Sequence, residues 1–154
     1  MSDPAPKIDL NILQGLSFTE SLERLKQQIT RARPHKPRGD RLQDVAGQTL
    51  TQASVLVPLV YYPTHLSVLL TQRTDHLSKH PGQISFPGGR QDAEDADIVA
   101  TALRESTEEI GTDSSRIEVV GTLPNYVTVT AYEVTPVVAT SAPQQYRVDP
   151  FEVA

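Results

Sequence analysis

"FPGGRQDAEDADIVATALRESTEEIG", residues 86–111, decides how the rest of the chain is read. A Pro-Gly-Gly break leads into a short acidic loop and then into a stretch with helical spacing. Val99, Ala102, Leu103, Ser106 and Ile110 fall on one stripe of period 3.6, which predicts a helix buried along that face. Gly111 stands where a left-handed residue ends such a helix. Glu105, Glu108 and Glu109 fall within an arc of about 100° on another side, near the C-terminal end. Carboxylates there oppose the helix macrodipole at a cost on the order of 0.3–1 kcal/mol each. Like charges at i,i+4 add a further small penalty. Something outside the helix must offset it.

Hard divalent cations such as Mg²⁺ and Mn²⁺ take oxygen ligands, and carboxylates spaced i, i+3, i+4 can converge on one or two ions. Arg104 lies beside this face and can pair with Glu108 one turn on, holding a carboxylate in place. An ordinary solvated helix surface is the competing reading, and for a bare E-x-x-E-E it is the better one. The context reverses that preference. Gly88 and Gly89 read as a tight turn that lets backbone approach a ligand with amide N–H groups free for anionic oxygens. Strand, glycine turn, acidic loop and glutamate helix together are far more specific than any part alone.

At 154 residues the chain suits one domain. Acidic residues outnumber basic ones by 19 to 14, a formal net charge of -5 that argues against a broad grip on nucleic acid or an anionic membrane. Cysteine is absent, so disulfides and thiolate chemistry are excluded. The start, "MSDPAPKIDL", lacks the features of a secretory signal, and no stretch approaches the ~18 apolar residues needed to span a bilayer. The expectation is a soluble, cytoplasmic protein. Oligomeric state is not legible, which leaves a homodimer open.

Upstream, "SFTESLERLKQQITRARP" (residues 17–34) has Ser17 and Glu20 at capping-box spacing, then Phe18, Leu22, Leu25 and Ile29 on one stripe. It predicts an amphipathic helix ending before Pro34. Arg31, Arg33, Lys36, Arg38 and Arg41 form a basic cluster with no interleaved aromatics, read as a solvated helix end and linker. Residues 1–52 are thus expected to be N-terminal helix and linker, and 53–154 a single globular domain. "ASVLVPLVYY" (53–62) and "LSVLLTQR" (66–73) read as a strand pair turned at Pro63 and Thr64, and "GQISF" (82–86) as a short strand. "RIEVVGTL" (116–123), "YVTVTAYEV" (126–134) and "TPVVAT" (135–140) read as half-buried strands. This order predicts an α+β fold with helices on a mixed sheet. "VDPFEVA" (148–154) reads as the lead-in to a further element that the sequence does not contain.

The 86–111 stretch resembles the Nudix hydrolases, whose signature is G-x5-E-x7-R-E-U-x-E-E-x-G-U with U a bulky apolar residue. Arg104, Glu105, Glu108, Glu109 and Gly111 match its second half in order and spacing. Counting from Gly89, the first half asks for Glu at 95 and Arg at 103, where this chain has Asp95 and Leu103. The loop is one residue longer, and Glu94, Asp95 or Asp97 takes the first glutamate's place. Ser106 and Thr112 fill the two apolar positions. "LLTQRTDHLSKHPGQISFPGG" (69–89) is similar to the segment that marks coenzyme A pyrophosphatases within that family, about L-L-T-x-x-R-(S/A)-x3-R-x3-G-x3-F-P-G-G. Leu69, Leu70, Thr71, Gly82, Phe86, Pro87, Gly88 and Gly89 match, Arg73 lies within one position of the first arginine, and Ser78 replaces the second.

The resemblance runs from about residue 53 to 140. It implies a Nudix-type α/β/α sandwich with the N-terminal helix added, and hydrolysis of the coenzyme A diphosphate to 3′,5′-ADP and 4′-phosphopantetheine with Mg²⁺ or Mn²⁺. Glu105 and Glu109 are the first choice of metal ligands, with Glu108 completing the shell or accepting the proton of water. Arg104 belongs with Glu105 and Glu108 among the catalytic residues. Arg73, Lys79 and His80, with the Gly88–Gly89 backbone, are the candidates for contact with substrate. ADP-ribose or another nucleoside diphosphate derivative is the rival substrate, and a Nudix-like binding module without catalysis the rival class.

Overall fold

The computed structural model describes residues 17–31, 38, 39, 42–63, 65–74 and 82–153. Lys79 and His80, Arg33, Lys36 and Arg41, and the Thr64 turn position lie outside them. Helix α1 is Phe18–Arg31, opened by the expected capping box: the Ser17 N–H donates to Glu20 Oε2 (2.8 Å) and the Glu20 N–H to Ser17 Oγ (3.4 Å). Leu22 and Leu25 are half-buried and Ile29 is buried, packed on Gly121.

A mixed sheet follows, built on two long parallel strands, β2 (Thr51–Tyr61) and β9 (Tyr132–Ser141), in register from Thr51 opposite Tyr132 to Val60 opposite Ser141. The outer edge of β2 is covered in two pieces, by β6 (Gly88–Arg90) and β3 (Leu66–Val68), both antiparallel. The outer edge of β9 is covered likewise by β8 (Tyr126–Val127) and β7 (Ile117–Thr122). Strand β1 (Arg38–Gly39) pairs parallel with β8. Helix α1 lies against β7, where Lys26 also pairs with Glu118.

Each long strand carries a proline in mid-run. Proline has no N–H for the ladder and is ordinarily kept to edges. Here the Pro58 carbonyl accepts from the Leu69 N–H (3.0 Å) and the Pro136 carbonyl from the Leu123 N–H (2.9 Å), so both residues face outward, away from the β2–β9 pairing. Pro58 sits at the seam between β6 and β3, and Pro136 at the seam between β8 and β7. The missing donors fall where no strand needs them.

Four expected elements differ in the structure. "LSVLLTQR" divides, because β4 (Thr71–Gln72) leaves the main sheet to pair with β5 (Ile84–Ser85) in a two-stranded sheet of its own. "YVTVTAYEV" and "TPVVAT" break between β8 and β9, not after Val134. The Ala131 N–H donates to the Thr128 carbonyl and the Tyr132 N–H to Thr128 Oγ1, a turn completed by Ala131 at φ 60°. Gly88 and Gly89 form no tight turn: they open strand β6.

Helix α2 is Ile98–Ile110. Asp97 caps its start, accepting from the Ala100 N–H (2.8 Å), and Gly111 ends it at φ 64° as expected. Its apolar stripe packs on the sheet, where Ala102 joins Leu56, Val137 and Ala139 in the core with Val99, Leu103 and Ile117 around them. That stripe fixes which side of α2 carries the glutamates.

Candidate active site

Strand β6 has two residues without side chains, and each makes room for something different. A Cβ on Gly88 would stand 2.2 Å from the Ser54 carbonyl oxygen and 2.6 Å from Val55 Cα, so here β2 and β6 approach closer than any side chain allows. A Cβ on Gly89 would stand 2.4 Å from Glu105 Oε1 and 2.7 Å from Oε2. The first glycine joins strand to strand, and the second cradles a carboxylate.

Glu109 lies alongside, only 7% exposed, its Oε2 accepting from the Gly88 N–H (3.1 Å). That amide, expected to be free for a ligand, is occupied by the helix. Burial pushes the Glu109 carboxyl up to about 7; Glu152 and Glu105 push the same way, against the Gly88 bond and the charge of Arg73. Glu105 is raised too, first by burial, with Glu108 and Glu152 adding and Arg104 opposing. Two carboxylates that resist ionising side by side are what a divalent cation would relieve. Among the described residues no three acidic or imidazole side chains are already gathered into a cage. Mg²⁺ is commonly held by one or two carboxylates, with water and substrate phosphate filling the other positions, so this donor set suits it.

Glu108 differs. Its side chain is 59% exposed and its Oε2 takes the same Arg104 Nη1 as Glu105 Oε1, each at 3.0 Å. Arg104 organises this flank of the site. Its Nε and Nη2 donate to the two Asp95 oxygens (2.8 and 2.9 Å) in a bidentate fork, and Nη2 also reaches the Arg90 carbonyl (3.1 Å). Asp95 accepts further from the Asp92 N–H and Thr101 Oγ1. The Arg104 fork, with these bonds, holds its carboxyl well below the usual range, and the pairing raises Arg104 in turn.

Of the three acids considered for the first signature position, Asp95 is therefore the one paired with the signature arginine. Asp97 is the helix cap and Glu94 is exposed. The extra loop residue falls between Asp95 and Arg104.

Arg73 closes the other side. It is half-buried, its charge acts on Glu109, and its buried Nε has no hydrogen-bond partner among the described residues. Its backbone, just after β4, is fixed by the Arg73 N–H donating to the Gln83 carbonyl (2.9 Å) and by a bridge to Val153. Glu152 belongs to no motif in the sequence, yet its charge raises both Glu105 and Glu109. The unexplained "VDPFEVA" ending was the signal that could have pointed to it.

A model of the NUDIX domain matches residues 50–149. Curated relatives include proteins described as uncharacterized Nudix hydrolase NudL from Escherichia coli O1:K1 and Shigella boydii serotype 18, each 49% identical over 104 residues, which is 67% of this chain and 54% of theirs. The chain thus spans about half the length of the curated relatives it matches. Similar solved structures include a Caenorhabditis elegans Ap4A hydrolase in a binary complex (TM-score 0.55, 20% identity, 66% of this chain and 74% of that one). The NUDIX domain of Shewanella oneidensis NrtR, complexed with ADP ribose, is another (TM-score 0.52, 22% identity, 90% and 80%). At such identities these structures speak for the fold, while the family match takes in both the sheet and the glutamate helix: the chain belongs to the NUDIX domain family.

Proposed function

We propose that this chain hydrolyses the diphosphate of coenzyme A, or of a close derivative, to 3′,5′-ADP and 4′-phosphopantetheine with Mg²⁺ or Mn²⁺. The observation that carries this reading is the pairing of Glu105 and Glu109 over Gly88 and Gly89, with Arg73 beside them. A divalent cation bound there supplies charge neutralisation at the diphosphate oxygens and lowers the pKa of an attacking water.

The chain's own residues do the rest. Glu105 and Glu109 would hold the ion, and Glu108, exposed and paired with Arg104 Nη1, would complete the shell or take the proton of the water. Arg104 fixes Glu105 through Nη1 while Asp95 fixes Arg104. Arg73, beside the glutamates, is the candidate to hold a phosphate oxygen, a contact suited to guanidinium, and Lys79 and His80 remain candidates for substrate contact from the resemblance. Gly88 and Gly89 keep side chains out of the way.

Choice of coenzyme A is supported by the 69–89 segment, whose Leu69, Leu70, Thr71, Gly82 and Phe86 to Gly89 fit the coenzyme A pattern. A cytoplasmic location belongs to the same reading and agrees with a cysteine-free chain. A nucleoside diphosphate derivative such as ADP-ribose is the second reading, favoured by the S. oneidensis neighbour holding that ligand. Against a non-catalytic module stand the intact Glu105, Glu108 and Glu109. Side-by-side assays of coenzyme A, ADP-ribose and Ap4A with each metal, with products identified, test the assignment. Coenzyme A turnover is expected to be fastest and to stop with chelator; equal or faster ADP-ribose turnover rejects the substrate.

A further inference from the structure

The last four carbonyls of a helix have no partner within it. In α2 two of them are served from far along the chain: the Arg147 N–H donates to the Ile110 carbonyl (2.9 Å) and the Asp149 N–H to the Glu109 carbonyl (2.8 Å). The chain then turns tightly. The Asp149 carbonyl accepts from the N–H groups of Glu152 (3.2 Å) and Val153 (2.9 Å), and Asp149 Oδ1 accepts from the Phe151 N–H (2.9 Å). On its far side the turn is gripped by Thr74, whose N–H donates to the Glu152 carbonyl (3.1 Å) and whose Oγ1 donates to the Phe151 carbonyl (3.0 Å). Val153 bridges to Arg73, and both Thr74 and Val153 are buried. One turn therefore ties the end of the glutamate helix to the segment just after β4 that bears Arg73, and carries Glu152 between them.

We propose that Asp149 is a positioning residue for this site: its side chain closes the 149–152 turn and so holds Glu152 beside Glu105 and Glu109. The role rests on the reading of that face as the metal-holding one. Among the described residues the Asp149 carboxylate accepts from the Phe151 N–H and is bonded to none of Glu105, Glu108 and Glu109. It needs an acceptor oxygen there, not a charge, and asparagine supplies one.

Mn²⁺ affinity, measured by titration of free ion without substrate, and turnover of a nucleoside diphosphate substrate test this together. Asp149→Ala is expected to weaken Mn²⁺ binding and lower kcat/KM about tenfold, as loss of a supporting partner behind a metal site typically does. Asp149→Asn should return both to within about threefold of the unaltered chain. In a Glu152→Gln background Asp149→Ala should add less than about twofold, because the two act as one unit. Should Asp149→Ala fail to fold, Thr74→Val, which removes the donor to the Phe151 carbonyl, is expected to reproduce the loss and Thr74→Ser to spare it. Unchanged binding in Asp149→Ala, an Asn variant as damaged as the Ala one, or additive losses with Glu152→Gln overturns the role alone. An unaltered chain that binds no Mn²⁺ removes the metal reading and the positioning role with it.

Discussion

Burial of Glu109 against Gly88 sets folding against charge in a way that can be measured. Its carboxyl lies at about 7 in the folded chain against an ordinary 4.5, with Glu105 and Glu152 opposing ionisation and Arg73 and the Gly88 N–H favouring it. Between those values the unfolded chain has released a proton that the folded chain keeps, so metal-free stability falls as pH rises from about 5 to 7. Glu109→Gln keeps an oxygen for the Gly88 N–H but has nothing to ionise. In chelator its melting temperature is expected to vary less between pH 5.5 and 8 than that of the unaltered chain, while turnover falls more than about 100-fold, beyond the loss of a supporting residue. A variant that melts with the original pH slope would place the cause elsewhere. Asp95 has the opposite sign: its depressed carboxyl stabilises the fold above the ordinary carboxyl range, and that contribution is lost as pH falls through the folded value. Asp95→Asn should melt lower at pH 7 and lose less stability on acidification to about pH 3, a comparison that circular dichroism can make.

The two glycines of β6 separate element from site. Alanine at 88 drives a Cβ into the backbone of β2, which cannot yield, whereas alanine at 89 meets only the movable end of the Glu105 side chain. Gly88→Ala is therefore expected to unfold or severely destabilise the domain, and Gly89→Ala to fold with a near-normal melting temperature and little turnover. Reversed outcomes would mean that α2, not β2, sets the position of β6. This pair also shows where the sequence was legible and where it was not. The periodicity of α2 and its Gly111 stop needed only local physics, whereas the sequence left Glu94, Asp95 and Asp97 open and only the fold shows which of them Arg104 grips. Pro-Gly-Gly looks like a turn from local preference alone, because nothing nearby in sequence reveals that β2 comes within contact of it. The join between 126–134 and 135–140 was likewise misplaced, because the turn at Thr128–Ala131 that separates β8 from β9 does not show in the alternation of apolar and polar residues. Glu152 stayed hidden because the turn begun at Asp149 is set in place by Thr74, far earlier in the chain.

At the scale of the whole molecule, the packing of α1 and the chemistry of α2 should be separable. Ile29 fills the space over Gly121 of β7, an element that contributes nothing to the acidic face. Ile29→Ala is expected to cost about 2–4 kcal/mol, typical of a buried large-to-small change, and to leave the response to metal intact. That response follows from the charge conflict at Glu109. A divalent cation takes the ionised carboxylate, so binding must expel the proton that burial retains, and added Mn²⁺ stabilises the domain more at pH 8 than at pH 5.5. An ion present at a hundred times its dissociation constant adds about 2.7 kcal/mol, a rise of roughly 5–10 °C for a domain of this size. Thermal melts of the unaltered chain, Ile29→Ala and Glu105→Gln, with Mn²⁺ or chelator at both pH values, check this. The first two should shift together and the third hardly at all; a Glu105→Gln variant that shifts as far as the others would put the ion somewhere other than between Glu105 and Glu109.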